Sequence, residues 1–268
     1  MKKTGIFSKF YIGLIFLFLY APILVLMFFS FNESKSRAYF TGFTFKWYIQ
    51  LFENELIMQS LFNSLMMALC ASVIATVMGT MAAVGINRMG KKTRSFMMNV
   101  TYLPVLNPEI VTGISMMLLF VWFKNVFNIP LGFITVLAAH ITFCLPYVIL
   151  SVLPKLRQMD QNLFEAALDL GCTPTKAFFK VVIPQIMSGI TSGFMMAFTF
   201  SLDDFVITYF TAGDGFKMLP TTIYAMVRKK VNPQINALST IIFLIVLILL
   251  IIMNVAEARK SKKVSKPL

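Results

Sequence analysis

This sequence has few charged residues, and acidic ones above all. Of its 268 residues, 13% are charged, only 11 are Asp or Glu, and 58% are apolar. Several apolar runs exceed the roughly 20 residues that cross a bilayer. The composition therefore excludes a water-soluble enzyme and predicts an all-α, polytopic membrane protein.

Cysteine and histidine are also too few to build a redox or metal centre. Cys70, Cys144 and Cys172 show no C-x-x-C spacing, and two of them lie in apolar runs. We therefore expect no disulfide framework and no metal site. The single histidine, His140, lies in an apolar helix, where we expect it to hydrogen-bond a neighbouring helix rather than to bind a ligand.

A nucleotide-binding motif is lacking as well. Gly85, Gly90 and Lys91 have the spacing of a phosphate-binding loop, but Lys92 stands where such a loop needs a Ser or Thr to bind magnesium. The segment also follows an apolar helix rather than a strand. We therefore expect this chain to hold no cofactor and to have no nucleotide site of its own.

What the sequence does have is a series of apolar segments. We predict six transmembrane helices, at about residues 10–29, 60–86, 96–123, 131–153, 183–205 and 237–255. The first run could also be a signal peptide, but it is long and no A-x-A cleavage site follows it. No internal repeat is evident, so residues 1–268 are interpreted as one domain.

Positive charge is divided unevenly between the two sides of the predicted bundle. With both termini inside, the cytoplasmic segments hold 16 Lys and Arg and the outer segments hold 8. Cytoplasmic loops are enriched in these residues. The bias predicts cytoplasmic N- and C-termini, with a basic tail at about residues 257–268, and accounts for the net charge without nucleic acid. The outer cluster Arg228, Lys229 and Lys230 has no explanation in this scheme.

A polar segment at about residues 160–184 interrupts the spans. Four of its apolar residues recur at i, i+3, i+4 and i+7, as in an amphipathic helix: Leu163, Ala166, Ala167 and Leu170. Asp160 suits the N-cap of that helix, and Gly171 suits the left-handed position after its end. Thr173 and Pro174 suit the start of a second short helix. The pattern predicts a cytoplasmic helix–turn–helix elbow.

The elbow resembles the EAA loop of ABC-importer permeases. The residues that carry the resemblance are Glu165, Ala166, Ala167, Gly171, Val181, Ile183 and Pro184. The family has Ile and Leu at the positions of Val181 and Ile183, so the apolar character is kept. The resemblance implies a type I ABC-importer permease fold, in which this elbow is a coupling helix seated in a groove of an ATP-hydrolysing subunit. The alternative is an interfacial helix without a particular function.

Three acidic residues lie within the predicted spans, where ionisable groups are costly and usually face a bundle interior or an aqueous path. Glu109 follows Pro108 in the third span and is expected near the bilayer midplane. Asp203 and Asp204 are expected near the outer end of the fifth span, on or beside a stripe of small residues: Gly189, Gly193, Ala197 and Ser201. We interpret the three acids as candidate cation stations. The alternatives are a structural tie for Glu109 and water-exposed carboxylates without a role for the aspartates.

Four further segments indicate a particular group within the ABC-importer permeases: residues 107–115, 140–147, 198–210 and 219–224. With nearly the whole chain to Ala256, they resemble the second permease subunit of the spermidine/putrescine ABC importers. The resemblance implies a non-enzymatic permease of the bacterial inner membrane, embedded in lipid. Its implied partners are a sister permease, two ATPase subunits that bind ATP and Mg, and an extracytoplasmic polyamine-binding protein.

Two other functions remain open at this point. An ABC permease with the same elbow could carry another small solute, such as iron. An autonomous proton-coupled carrier could use the same three acids as proton and cation sites. The resemblance to the EAA loop argues against the carrier, because a self-powered transporter has no use for an ATPase-docking elbow.

Overall fold

The chain is almost entirely helical. The structure, a computed structural model, describes residues 6–34, 39–160, 162–229, 233–245, 247–248 and 251. The helices are α1 Ile6–Ser30, α2 Lys46–Phe52, α3 Glu55–Arg88, α4 Lys91–Leu106, α5 Glu109–Phe127, α6 Phe133–Gln158, α7 Asn162–Asp169, α8 Pro174–Ala177, α9 Ile183–Asp203, α10 Val206–Thr211, α11 Leu219–Lys229 and α12 Gln234–Ile245. A π-helical turn, Phe178–Val182, joins α8 to α9. The all-α prediction is confirmed.

Within the described ranges, five helical segments are long and apolar enough to cross a membrane: Lys9–Ser30, Glu55–Arg88, Glu109–Phe127, Phe133–Gln158 and Pro174–Asp203. They correspond to the first five predicted spans. The sixth predicted span, 237–255, begins within α12, and most of its second half lies outside the described residues. The predicted basic tail at 257–268 also lies outside them.

The third predicted span, 96–123, is wrong in one respect, because it consists of two helices. α4 ends at Leu106 and α5 begins at Glu109, with Asn107 extended at φ −78° and ψ 138° between them. Pro108 causes the break, since it has no N–H to donate and its ring disfavours the helical region for the residue before it. Glu109 is therefore the first residue of a helix instead of a residue in the middle of one.

The described residues form two compact units, one drawn from residues 1–58 and 223–268 and the other from 59–222. In the first unit, Trp47 is only 4% exposed and its Nε1 donates a 2.7 Å hydrogen bond to the carbonyl of Asn32. Asn54 Nδ2 donates to Gln234 Oε1 over 3.4 Å. These contacts tie α2 and the residues beside it to the chain that precedes α2 and to the start of α12.

Helix α6 is the centre of the second unit. Of its most apolar window, 56% is buried, a larger share than in the other four candidate spans. α9 packs along α6 through four buried small residues: Gly189, Gly193, Ala197 and Ser201. A Cβ on Gly189 would lie 2.9 Å from the carbonyl oxygen of Ser151, and one on Gly193 would lie 3.2 Å from Val148 Cα. The predicted small-residue stripe is confirmed as a face of close helix packing.

The fifth span also ends in a break. α9 stops at Asp203, Asp204 is extended at φ −60° and ψ 122°, and α10 begins at Val206. α10 continues beside α6, where Thr135 Oγ1 donates to the carbonyl of Thr211 over 2.9 Å. We call residues 203–205 the α9–α10 junction. The two aspartates therefore lie at a break between two helices rather than at the free end of one.

Candidate functional site

The first short helix of the elbow begins and ends as its cap residues predict. Asp160 Oδ1 accepts a hydrogen bond from the Asn162 N–H over 3.0 Å. Gly171 has φ +82°, and its N–H donates to the carbonyl of Leu168 over 2.9 Å. The next N–H, of Cys172, donates over 3.1 Å to the carbonyl five residues back, at Ala167. The two bonds form a Schellman motif, which confirms the predicted left-handed end at Gly171.

The second short helix, α8, leads into α9 through a widened turn. Thr173 caps α8 by accepting from the Lys176 N–H over 3.4 Å, with Pro174 in the first turn. At the end of the π-helical turn, Ile183 N–H donates to the carbonyl of Phe178. Pro184, which follows, cannot bond to a carbonyl four residues earlier and its ring would clash there, so a wider turn relieves the helix. Pro184 thereby sets how the elbow enters α9.

The elbow packs on the rest of the second unit through one face. Ala167 is buried, Phe164 and Leu168 are half-buried, and the Arg88 guanidinium lies 5.8 Å from the centre of the Phe164 ring. That face is rotated from the predicted stripe, because Leu163 is 42% exposed, Leu170 is 86% exposed and Ala166 is also exposed. The outward side of the elbow therefore carries exposed apolar side chains that the other described residues do not cover.

Glu165 stands on that outward side. It is exposed, and no ion pair joins it to another residue that the structure describes. Pro184 is exposed as well. The structure thus brings Glu165, Ala166 and the outward leucines onto one bare face, whereas Ala167 and Gly171 serve the internal packing and the turn.

A second polar centre lies at the α9–α10 junction, buried against α6. His140 on α6 is 1% exposed, its Nδ1 lies 2.7 Å from Ser201 Oγ and its Nε2 lies 3.0 Å from Thr208 Oγ1. The prediction that His140 hydrogen-bonds neighbouring helices is confirmed. Its partners lie on either side of the break, Ser201 on α9 and Thr208 on α10.

Asp204 belongs to the same centre. Its side chain is 4% exposed, and Oδ2 lies 3.4 Å from His140 Nε2. The two carboxylate oxygens also accept from the N–H of Ile207 over 3.3 Å, from the N–H of Thr208 over 2.8 Å and from Thr208 Oγ1 over 2.9 Å. The alternative of a water-exposed Asp204 is therefore wrong, because its oxygens are already occupied inside the chain.

Asp203 differs from its neighbour. It is exposed, and it lies within electrostatic range of Glu109, which is also exposed. Glu109 is within electrostatic range of Tyr147 as well. Two of the three predicted acids, which come from different helices, are therefore exposed and near enough to interact, whereas Asp204 is buried.

Depth along α6 can be read from the same contacts. His140 is seven residues after the start of α6, or about 10 Å at 1.5 Å per residue. Asp204, which contacts His140, therefore lies about two turns from that end of α6. It also lies at the end of the fifth span, as predicted, since α9 ends at Asp203.

Sequence reasoning missed two features of this region. Thr208 bridges His140 and Asp204, and the only sequence signal for it is an Asp placed before an apolar run, as at a helix start. Tyr147 and Phe200 form an aromatic pair with ring centres 4.5 Å apart, joined by Phe143 at 5.6 Å from Tyr147. No local pattern marks that pair, since its members are on α6 and α9.

The fold and the elbow define a class of membrane permease, and the chain belongs to a known family within it. The family of binding-protein-dependent transport system inner membrane components matches residues 75–266. The predicted type I ABC-importer permease fold is confirmed, and the protein is a multi-pass membrane protein.

Among the relatives are named polyamine permeases. The chain is 42% identical to the putrescine transport system permease protein PotI of Escherichia coli K12 over 231 residues, which cover 85% of this chain and 82% of that protein. It is 36% identical to the spermidine/putrescine transport system permease protein PotC of the same strain, over 86% of each. A PotC homolog of Mycoplasma genitalium is 29% identical over 91% of this chain and 89% of its own length. The resemblance inferred from the sequence is confirmed.

A solved structure shares the fold. It is a bacterial ABC transporter involved in the import of the acidic polysaccharide alginate, with a TM-score of 0.70, 16% sequence identity, and coverage of 97% of this chain and 96% of that one. At that identity the likeness concerns the fold alone.

Proposed function

We propose that this chain is a permease subunit of an ATP-driven importer of putrescine and spermidine. The observation that carries the proposal is the 42% identity to a putrescine permease over 85% of the chain. The elbow, with its bare outward face, adds support, because a membrane protein that draws energy from a separate ATPase needs a surface to receive it. Substrate would cross by alternating access of the helical bundle.

The coupling surface is the elbow. Glu165, Ala166 and Leu170 would face the ATPase, while Ala167, Gly171 and Pro184 would hold the elbow's shape. This arrangement requires the elbow on the cytoplasmic side, with both termini on that side, as the excess of Lys and Arg favours. The full assembly would contain a sister permease, two ATPase subunits that bind ATP and Mg, and an extracytoplasmic binding protein. This chain itself would bind no cofactor.

The substrate path runs past Glu109 and Asp203. Both carboxylates are exposed and within electrostatic range of one another. Carboxylates separated along a path suit an extended cation, which can leave one station as it reaches the next. The aromatic pair Tyr147 and Phe200 adds faces that attract ammonium groups. Asp204 would act on the path through the position of Asp203, since its own oxygens are occupied.

The test is transport by the assembled complex. Proteoliposomes containing this chain, its sister permease and the ATPase, supplied with loaded binding protein, should accumulate labelled putrescine or spermidine only when ATP is present on the ATPase side. Unlabelled polyamine should compete, and iron and sugars should not. ATP-driven accumulation of another solute, with polyamine ignored, would contradict the choice of substrate.

The lone chain provides the matching control. Reconstituted without the ATPase and placed in a pH gradient, it should not accumulate polyamine, because it lacks the coupled energy source. Gradient-driven accumulation by this chain alone would contradict the proposal and favour an autonomous carrier.

A further inference from the structure

The buried polar groups at the α9–α10 junction form one directional chain of hydrogen bonds. We assign the Nε2–H tautomer to His140, because it gives each donor in the chain of bonds one acceptor. Ser201 O–H then donates to His140 Nδ1, His140 Nε2–H donates to Thr208 Oγ1, and Thr208 O–H donates to Asp204 Oδ2. The chain ends on a carboxylate, the strongest acceptor among them.

This chain of hydrogen bonds connects the two sides of the break through a residue on a third helix. His140 is on α6, Ser201 is in the last turn of α9 and Thr208 is in α10. The backbone between α9 and α10 has lost its regular helical ladder, so side chains have to hold the two pieces in a fixed relation. The four groups are 8% exposed or less, and buried hydrogen bonds to a charged group are among the stronger ones.

Asp203 is the neighbour on which this arrangement acts. It is the last residue of α9, next to Asp204, and it is exposed while the Asp204 side chain is 4% exposed. Two adjacent residues at a helix end point in different directions, so fixing one carboxylate inward fixes the other outward. A rotation of the backbone at Asp204 would therefore change the direction of Asp203 relative to Glu109.

We infer that His140, Thr208 and Asp204 form a lock that holds the α9–α10 junction against α6 and thereby aims Asp203 at the polyamine path. These three are positioning residues. The inference rests on the proposed function, because the path it serves is the proposed one. It adds a role for the single histidine and for a fully buried threonine.

The first test is Thr208→Val in the full complex. The substitution keeps the shape of the side chain and removes the hydroxyl that joins His140 to Asp204. ATP-driven putrescine uptake should fall about tenfold, the size expected for one buried, charge-assisted hydrogen bond. The amount of complex and the ATPase activity should stay near those of the parent, so putrescine imported per ATP hydrolysed should fall by the same factor.

Thr211→Val is the matched control. Thr211 lies one turn further along α10 and is equally buried, but its hydroxyl donates only within the helix, to the carbonyl of Ile207 over 2.8 Å. Uptake should change less than about twofold, since the bond is local to one helix. Equal losses in the two variants would mean that the bond between Thr208 and Asp204 is not the cause, and would overturn the lock.

The deciding measurement combines Thr208→Val with Asp203→Asn. If the lock works through Asp203, the double variant should lose no more uptake than Asp203→Asn alone. A loss equal to the product of the two single effects would make the sites independent and overturn the inference. Full uptake by Asp203→Asn would instead overturn its place on the path, which belongs to the proposed function.

His140→Gln covers the case in which Thr208→Val does not assemble. Glutamine offers one donor and one acceptor and keeps part of the chain of bonds. This variant should assemble. The putrescine that it imports per ATP hydrolysed should fall by less than the tenfold expected for Thr208→Val. Failure of both variants to assemble would make the cluster a folding element only, and the inference would be wrong.

Discussion

The elbow and the α9–α10 junction are both interruptions of helix, yet they are built in opposite ways. The elbow is held by bonds between residues two to five apart, such as Gly171 to Leu168 and Cys172 to Ala167. The junction is held by bonds from His140 to residues 61 and 68 positions away. The first kind of structure can be read from a short stretch of sequence, and the second depends on the packing of α6 against α9 and α10.

The two regions also differ in what they leave exposed. The elbow presents apolar side chains outward, with Leu170 86% exposed, and its hydrogen bonds are local turns and caps. The junction buries the carboxylate of Asp204 and leaves that of Asp203 open. One is suited to bind a protein surface and the other to meet a solute, so substitutions should separate coupling from translocation.

The largest expected effect concerns the packing beneath the junction. Gly189→Val should destabilise the folded chain by about 1–3 kcal/mol, because its Cβ would lie 2.9 Å from the Ser151 carbonyl oxygen and the helices would have to separate. Thermal unfolding of the purified permease measures the effect. Gly85→Val is the control, since a Cβ there meets nothing within 4 Å. Equal losses in both variants would show that helix packing at Gly189 is not the cause.

The next effect breaks the elbow alone. Gly171→Val places a β-branched residue at φ +82°, a cost of about 1–2 kcal/mol, with no atom near enough to clash with its Cβ. The ATPase should no longer co-purify, while the permease still inserts in the membrane. Gly171→Asn should retain docking, because Asn tolerates the left-handed conformation. A docking defect as large in Asn as in Val would contradict the role of the backbone angle.

A smaller change tests the outward face without touching the turn. Leu170→Gln alters an exposed residue, so the free energy of unfolding should shift by no more than about 0.5 kcal/mol. ATPase co-purification should nevertheless weaken, because an apolar contact is lost. Asp169→Asn, the neighbouring residue at the end of α7 and also exposed, is the control. Normal docking by Leu170→Gln would remove this face from the ATPase interface.

Glu165→Ala should have the mildest structural effect, because no ion pair joins Glu165 to another described residue. Unfolding should be unchanged within about 0.5 kcal/mol, as for other surface positions. ATPase docking should weaken, and uptake should fall with it. Preserved docking and uptake would show that this acid has no part in coupling.

The sequence predicted the features that depend on neighbouring residues and missed those that depend on packing between distant helices. The elbow could be predicted from Asp160, Gly171 and Thr173, because helix caps and left-handed turns depend on neighbours in sequence. The stripe from Gly189 to Ser201 predicted a packing face but did not identify α6 as its partner, since periodicity does not determine which helix lies opposite. The division of the third span at Pro108 was not predicted, because whether a proline kinks a span or ends it depends on the packing of both halves.

The two aspartates show most clearly what could not be predicted from the sequence. Asp203 and Asp204 are adjacent and chemically identical, and the sequence assigned them one role. Only the position of His140 and Thr208 separates a buried carboxylate from an exposed one. The aromatic pair of Tyr147 and Phe200 was missed for the same reason, because its members are brought together by the α6–α9 contact.

The most direct test of this account compares Glu165→Ala and Asp203→Asn in one reconstituted complex, with uptake, ATP hydrolysis and ATPase co-purification measured together. Glu165→Ala should lower all three in parallel. Asp203→Asn should keep co-purification and hydrolysis near the parent level while uptake falls about tenfold, the mark of an interaction lost from the path alone. If both variants lost docking, or if Asp203→Asn imported polyamine normally, the separation of a coupling elbow from a translocating junction would be contradicted.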